Sequence, residues 1–350
     1  MPFINDLLAE NQQHNEQQAP RTRAHASRFL FEPLRVMQLL QQRIIGQDDA
    51  LAEISDSLAV VKAELGDPRK PLGVFLLLGP TGVGKTETVR LLAEAIHGQA
   101  DALCRIDMNT LAQEHYAASL TGAPPGYVGS KEGTTLFDRE AIEGSFGRPG
   151  LVLFDELEKA SDPVIRALMN IFDNGQLRLS AGNSTLDFRN SLIFLTSNLG
   201  ASSVQQLEQG WARLLPPSWR SSLQQRVQQR ALQQRFDPEF LNRLDHRIRY
   251  RSLHSSQLQH LVELALAQLN QRLARHQVQL ALDAELRGWL AARGHDHRFG
   301  ARAMARSFRH HLEPVVARAL LNAEVPPAGS LLRASLNAGK VQIRIEPPPV

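Results

Sequence analysis

The chain has 350 residues, of which 43% are hydrophobic and 21% are charged, and this length predicts one large domain and one small domain. A formal net charge of +3, without a dense block of Lys or Arg, argues against a nucleic-acid partner. The single cysteine, Cys104, excludes an intramolecular disulfide and a cysteine-rich zinc site, and its apolar neighbours predict a buried strand residue.

The first 30 residues are predicted to be a flexible extension. Residues 11–27 are rich in Gln, Asn, Arg and Ala and contain too few large apolar groups to form a core. No basic leader with an apolar segment is present, and no apolar run approaches the ~20 residues that span a bilayer. We therefore expect a cytoplasmic protein without a membrane segment. Helical spacing then places Leu34, Met37, Leu39 and Leu40 on one predicted helix face.

Apolar runs separated by helical stretches follow, and they predict a parallel α/β sheet with crossover helices. Runs that are apolar throughout suit strands that are covered on both faces. The predicted strands are Val74–Leu78, Leu103–Met108, Leu151–Phe154 and Ser191–Thr196.

The pattern changes after about Arg251, and the remaining residues predict a smaller α+β domain. One amphipathic helix, residues 255–276, carries Leu258, Leu261, Val262, Ala265 and Leu269 on its buried face. A strand at 278–282, two more helices and two short strands at 331–336 and 341–345 complete this predicted domain.

A glycine-rich loop stands between the strand at 74–78 and a helix that begins at Lys85, the setting that a phosphate-binding loop requires. Its backbone N–H groups and the helix N-terminus would hold a β-phosphate. Lys85 would reach the β- and γ-phosphates, and the Thr86 hydroxyl would bind Mg²⁺. The loop therefore predicts an ATPase. Its residues are Gly79, Pro80, Thr81, Gly82, Val83, Gly84, Lys85 and Thr86.

Two carboxylates, Asp155 and Glu156, follow the apolar strand 151–154 directly. An unpaired charge at the end of a buried strand is costly, which indicates a functional reason for the pair. Asp155 fits the role of holding Mg²⁺ through its water shell, and Glu156 fits that of polarising the attacking water. The alternative is that both are ordinary acids in the first turn of the next helix.

Taken together, these motifs resemble the AAA+ superfamily, and more closely the second ATPase ring and C-terminal small domain of Clp-type, ClpB-like unfoldases and disaggregases. The likeness covers roughly residues 43–346. It implies an AAA+ large domain at 31–250 and a small lid domain at 251–350, with ATP between them. It also implies a stand-alone homo-oligomeric ring, hexameric by analogy, that acts on protein substrates.

The resemblance assigns roles to further residues. Ile44 and Ile45 match the segment that packs against adenine. Asn198, in Thr-Ser-Asn, matches the first sensor and would orient water or read the γ-phosphate. Arg243 closes a segment that resembles the arginine finger, which acts on ATP bound by the neighbouring subunit. Arg302, in Gly-Ala-Arg, matches the second sensor, which reaches the γ-phosphate of its own subunit.

The loop Gly122–Gly129 is rich in Gly and Pro and displays one aromatic residue, Tyr127. In Clp-type rings the matching tyrosine lines the axial pore and grips an extended polypeptide, so Tyr127 and Val128 are expected to contact substrate. The hairpin-like stretch 176–188 would supply a second pore loop. Ser130 and Lys131 depart from the family pattern beside the gripping residue, which leaves the substrate preference open.

The resemblance implies an unfoldase, and two other readings stay open. One is a specialised assembly or disassembly factor for a single complex, such as a secretion machine, switched by ATP and without general threading. The other is a DNA-directed role, which the modest charge disfavours. Between Asn198 and Arg243 the sequence has no Ile/Leu-Gly-Phe/Leu tripeptide, which protease-docking Clp members carry.

Overall fold

The computed structural model describes residues 27–112, 136–178, 185–210, 215–253, 255–293, 300–321 and 328–346. Tyr127 and Val128, most of the predicted extension and the tip of the 176–188 hairpin lie outside these residues. Ser27 is the first described residue, Phe29 is 1% exposed, and the Leu30 N–H donates to the Gly147 carbonyl at 2.8 Å. Residues 27–30, which the sequence assigned to the extension, therefore already pack on the fold.

A five-stranded parallel sheet forms the centre of the larger part. Its strands are β1 (Gly73–Leu78), β2 (Cys104–Asp107), β3 (Gly150–Asp155), β6 (Ser191–Ser197) and β7 (His246–Arg249), in the order β2-β3-β6-β1-β7. Every residue of β1, β3 and β6 is buried, in agreement with the continuous apolar runs. The short strands β4 (Gln176–Arg178) and β5 (Thr185–Asp187) pair antiparallel, which confirms the predicted hairpin.

Helices cover both faces of this sheet, and successive residues of β1 belong to opposite cores: Val74 and Leu76 to one, Phe75 and Leu77 to the other. The helices are α1 (Pro33–Arg43), α2 (Asp48–Lys62), α3 (Lys85–His97), α4 (Arg139–Glu143), α5 (Asp162–Asn174), α6 (Ala201–Gln209), α7 (Pro217–Arg235) and α8 (Pro238–Leu241). None of the helices within the described ranges is long and apolar enough to cross a membrane.

Two local predictions were wrong. Helix α1 buries Val36, Met37 and Leu40, whereas Leu34 is 78% exposed. Leu34 lies about 110° around the helix from the centre of that buried side. Strand β2 ends at Asp107 and not at Met108, because the Asp107 carboxylate accepts from the Asn109 N–H at 2.9 Å and begins a 3₁₀ turn.

A smaller sheet of three strands, in the spatial order 340–346, 331–337 and 279–282, forms the C-terminal part together with its helices and has a core of its own. The elements are α9 (Ser255–Leu273), β8 (Gln279–Leu282), α10 (Ala284–Arg293), α11 (Gly300–Ser307), α12 (Glu313–Leu321), β9 (Leu331–Asn337) and β10 (Lys340–Glu346). A π-helical segment, Phe308–Leu312, joins α11 to α12. Helix α9 is shorter than predicted, since a 3₁₀ turn occupies Ala274–His276.

The order of the strands determines where the predicted motifs meet. β3, β6 and β1 are neighbours and run parallel, so their carboxyl ends lie side by side. The glycine-rich loop follows β1, the acidic pair lies at the end of β3, and Asn198 follows β6. In open parallel sheets ligands bind in the crevice at this edge.

Candidate nucleotide site

A cavity of about 510 Å³ lies at this carboxyl edge, between the sheet and the small domain. Its volume is in the range of small-molecule sites. The predicted site residues that line it are Ile44, Ile45, Thr81, Gly82, Val83, Gly84, Lys85, Thr86, Asp155, Glu156, Asn198 and Arg302. The small domain adds apolar side chains that the sequence did not assign to the site: Leu253, Leu261, Leu264, Ala265 and Met304.

Glycine is required in the loop at positions where the backbone passes close to other atoms. Gly79 and Gly84 have φ of +150° and +108°. A Cβ on Gly79 would lie 2.5 Å from the Tyr250 carbonyl oxygen, and one on Gly84 would lie 3.2 Å from the Ile44 Cδ1 atom. The loop therefore keeps its shape only without side chains at these positions.

The Lys85 ammonium is drawn back into the loop. It donates to the carbonyls of Gly79 and Pro80 at 2.6 and 2.7 Å and to Asn198 Oδ1 at 2.9 Å. Burial lowers the pKa of Lys85 to about 8, although the charge of the nearby Glu158 opposes that shift. The three acceptors are uncharged, so they compensate the buried Lys85 charge only in part. A bound anion would stabilise the protonated form of Lys85 and raise its pKa again.

Oxygen atoms converge where a divalent cation would lie. Thr86 Oγ1 and Thr196 Oγ1 donate to Asp155 Oδ1 at 3.3 and 2.5 Å. Carboxylate and hydroxyl oxygens are hard ligands of the kind that Mg²⁺ prefers, so these residues fit the ion. Arg105 Nη2 donates to Asp155 Oδ2 at 2.7 Å, a contact that the sequence did not predict.

Glu156 has an unusual backbone, with φ of +59° and ψ of +51°. A non-glycine residue in this region is uncommon and costs free energy, and such residues cluster at functional sites. The Glu156 N–H donates to Thr196 Oγ1 at 3.0 Å, and Asn109 Nδ2 donates to Glu156 Oε2 at 2.7 Å. The first contact holds the Glu156 backbone and the second holds its carboxylate, at the rim of the cavity. Sequence reasoning missed Asn109, since no motif links it to Glu156.

The strand ends are also joined through Glu158. Its Oε1 accepts from the Asn198 N–H at 3.2 Å. Its Oε2 is buried and accepts no hydrogen bond from the residues that the structure describes. Asn198 thus connects Lys85 on one side with Glu158 on the other.

The small domain contacts the phosphate loop directly. The Ala301 N–H donates to the Gly82 carbonyl at 2.8 Å, and a Cβ on Gly300 would lie 2.6 Å from the same oxygen. This contact places Arg302, the next residue of α11, in the cavity wall. Within the described ranges, no hydrogen bond or ion pair engages the Arg302 guanidinium, so it can reach a bound anion.

Arg243 does not line this cavity. Its Nε donates to Asp173 Oδ2 at 2.6 Å, and its Nη2 donates to Glu239 Oε1 at 2.9 Å. The hydrogen bonds that Arg243 donates to these carboxylates, the one to Asp173 first, raise the pKa of Arg243 above its ordinary value. The structure therefore separates Arg243 from the other predicted catalytic residues of its own chain.

Three features together define a P-loop ATPase. They are a glycine-rich loop after a central parallel strand, a buried lysine, and a carboxylate beside a threonine hydroxyl. Two family models match the chain: the AAA domain (Cdc48 subfamily) over residues 70–247, and the C-terminal D2-small domain of ClpB protein over residues 253–333. The chain thus belongs to the AAA+ ATPase family and is homologous to the second ring of ClpB.

Individual relatives agree with this assignment. The chain is 48% identical to the ATP-dependent protease ATP-binding subunit-like protein AmiB of Pseudomonas aeruginosa, over 94% of this chain and 95% of that protein. A protein of Rhodococcus erythropolis with the name ATP-dependent protease ATP-binding subunit-like protein is 39% identical, over 99% and 100%. The chaperone protein ClpB of Meiothermus ruber is 39% identical over 85% of this chain, which spans 34% of that longer protein.

Proposed function

We propose that the chain is an ATP-driven protein-remodelling motor of the Clp type, which assembles as a cytoplasmic homohexameric ring and threads polypeptide through an axial pore. The observation that carries this proposal is the bond from Ala301 to Gly82. Through it, nucleotide in the phosphate loop and the orientation of the small domain depend on each other. A change of that orientation is the motion by which such a motor would move its pore loops.

Each residue at the cavity has a distinct task in this proposal. Lys85 and the loop N–H groups bind the phosphates, and Ile44 and Ile45 contact the adenine together with the apolar residues of α9. Glu156 accepts a proton from the attacking water, and Asn198 orients that water. Thr86 and Asp155 would hold Mg²⁺, and the ion would supply positive charge beside the phosphate oxygens.

The two arginines act at different interfaces. Arg302 reaches the γ-phosphate within its own subunit, in line with its place in the cavity wall. Arg243 serves the cavity of a neighbouring subunit, which agrees with its position away from its own. This arrangement requires a head-to-tail assembly, which is a closed ring in this proposal, because each site is complete only with a residue from the next subunit.

The pore loop is tested by replacing Tyr127 with alanine. We expect the Tyr127→Ala variant to hydrolyse ATP at nearly the wild-type rate and to lose protein remodelling. The reason is that the aromatic side chain would contact the polypeptide substrate and takes no part in ATP hydrolysis. Unfolding of a tagged fluorescent protein measures remodelling, and phosphate release measures hydrolysis. Tyr127→Phe keeps the aromatic surface and is the matched control. Equal loss of both activities would contradict threading, and full remodelling by Tyr127→Ala would favour an assembly factor.

The lowered pKa of Lys85 predicts a pH-dependent affinity for ATP. In the free protein this pKa is about 8, against an ordinary value of 10.5, and a bound triphosphate favours the charged form. Binding should therefore take up a proton above pH ~8, and the affinity should fall by up to ~tenfold for each further pH unit. Titration calorimetry in two buffers measures the uptake. Lys85→Arg stays charged and should show no such slope, and a flat wild-type profile to pH ~9.5 would refute the prediction.

A further inference from the structure

Arg235 is the last residue of α7 and lies directly before the segment that ends at Arg243. Its guanidinium is half-buried and binds two carbonyls of the turn that follows Glu156 and one carboxylate at the start of α5. Nε donates to the Glu158 carbonyl at 3.1 Å, Nη2 donates to the Ala160 carbonyl, and Nη1 donates to Asp162 Oδ1 at 3.1 Å. No sequence motif marks this residue.

The turn that Arg235 holds is the one that carries Glu156. Glu156 begins the 3₁₀ turn Leu157–Lys159 in its left-handed conformation. The carbonyls at the end of such a turn have no partner within it, and the planar guanidinium satisfies two of them at once. The position of the Glu156 carboxylate therefore depends on a turn whose far end Arg235 fixes.

The same turn also reaches the phosphate-binding lysine. Glu158, whose carbonyl Arg235 binds, accepts the Asn198 N–H through its side chain at 3.2 Å. Asn198 Oδ1 in turn accepts from Lys85 at 2.9 Å. Three consecutive contacts thus join Arg235 to the residue that would bind the γ-phosphate.

On its other side, Arg235 belongs to a segment that lies along α5. Arg235 binds Asp162 at the first turn of α5, and Arg243 binds Asp173 at its last turn. Between them, Phe236 and Phe240 have ring centroids 5.1 Å apart, and Phe240 packs against Phe172 of α5 at 5.9 Å. An arginine–aspartate pair at each end and a buried aromatic core between them make residues 235–243 one packed unit.

We propose that Arg235 is a positioning residue that couples the neighbouring site to its own. When Arg243 engages nucleotide in the next subunit, its segment shifts along α5. Arg235 then transmits the shift to the turn and so to Glu156. The inference rests on the proposed function, in which Arg243 completes a neighbouring site.

Mixed rings test this coupling. We compare wild-type and Arg235→Ala subunits, each mixed in increasing proportion with Glu156→Gln subunits that bind ATP without hydrolysing it. In wild-type rings the activity of each remaining active subunit should depend on its neighbours. A plot of ATPase rate against the fraction of Glu156→Gln subunits should therefore be curved. In the Arg235→Ala series the plot should be straight, with a Hill coefficient for ATP of about 1. Arg230→Ala, an exposed change in the same helix, should behave as wild type.

A homogeneous Arg235→Ala ring should also lose about tenfold in kcat, because the general base is less well placed, with little change in KM. Arg235→Lys keeps the charge but not the planar fork and should restore only part of the curvature. Thermal unfolding and sedimentation verify folding and ring assembly of each variant.

Two results would overturn the coupling: a curved plot for Arg235→Ala, or a loss of kcat with an unchanged Hill coefficient. A variant that fails to fold as alanine is replaced by Arg235→Gln, to which the same criteria apply. Remodelling by the Tyr127 variants tests threading separately, so failure of the coupling and failure of the proposed function give different results.

Discussion

The Glu156→Gln variant should bind ATP with nearly wild-type affinity and hydrolyse it at least ~100-fold more slowly, the usual contribution of a general base. Glutamine preserves the shape of the side chain, and its carbonyl can still accept from Asn109 Nδ2, which now lies 2.7 Å from the Glu156 carboxylate. The amide cannot take a proton from water. Loss of chemistry with binding retained is therefore expected.

A fluorescent ATP analogue measures binding, and phosphate release in a single turnover measures the chemical step. Glu140→Gln, an exposed acid on α4, is the matched control and should be fully active. Hydrolysis within ~threefold of wild type by Glu156→Gln would refute the assigned role. Because the variant stays in the ATP state, a pull-down with it should also retain protein substrate, and recovery of its own subunits alone would weaken the unfoldase proposal.

The central strands could be predicted from sequence because their burial is complete. β1, β3 and β6 are covered on both faces, so an unbroken apolar run identifies each of them. The motifs at their carboxyl ends then had to meet, since neighbouring parallel strands end at one edge. The cavity confirms that most of these residues lie together, and their chemical roles stay predictions.

Contacts that depend on register and packing could not be predicted in this way. Arg105 and Asn109 lie on or just after β2, and only the pairing of β2 with β3 brings them to Asp155 and Glu156. Helix α7 has no clear apolar side, and nothing in its sequence indicates that Arg235 binds the turn after Glu156. The left-handed backbone conformation of Glu156 could not be predicted from its sequence either.

Arg243→Ala should reduce the ATPase rate of a homogeneous ring by ~1,000-fold or more, the range measured when an arginine finger is supplied or removed. The reason is that its guanidinium would meet charge that develops on the γ-phosphate in the neighbouring cavity. ATP binding should change little, because Arg243 contributes nothing to the cavity of its own chain. Arg226→Ala is the control, because Arg226 is an exposed arginine of α7.

Mixing distinguishes a finger that acts on a neighbour from a structural role within one subunit. Arg243→Ala subunits retain Glu156, and Glu156→Gln subunits retain Arg243, so neither ring is active alone. In an equimolar mixed ring about a quarter of the interfaces combine an intact Glu156 with an intact Arg243 from the next subunit. Activity should therefore reappear on mixing. If Arg243 only braced its own α5 through Asp173, no interface in the mixture would be repaired and the mixed rings would stay inactive.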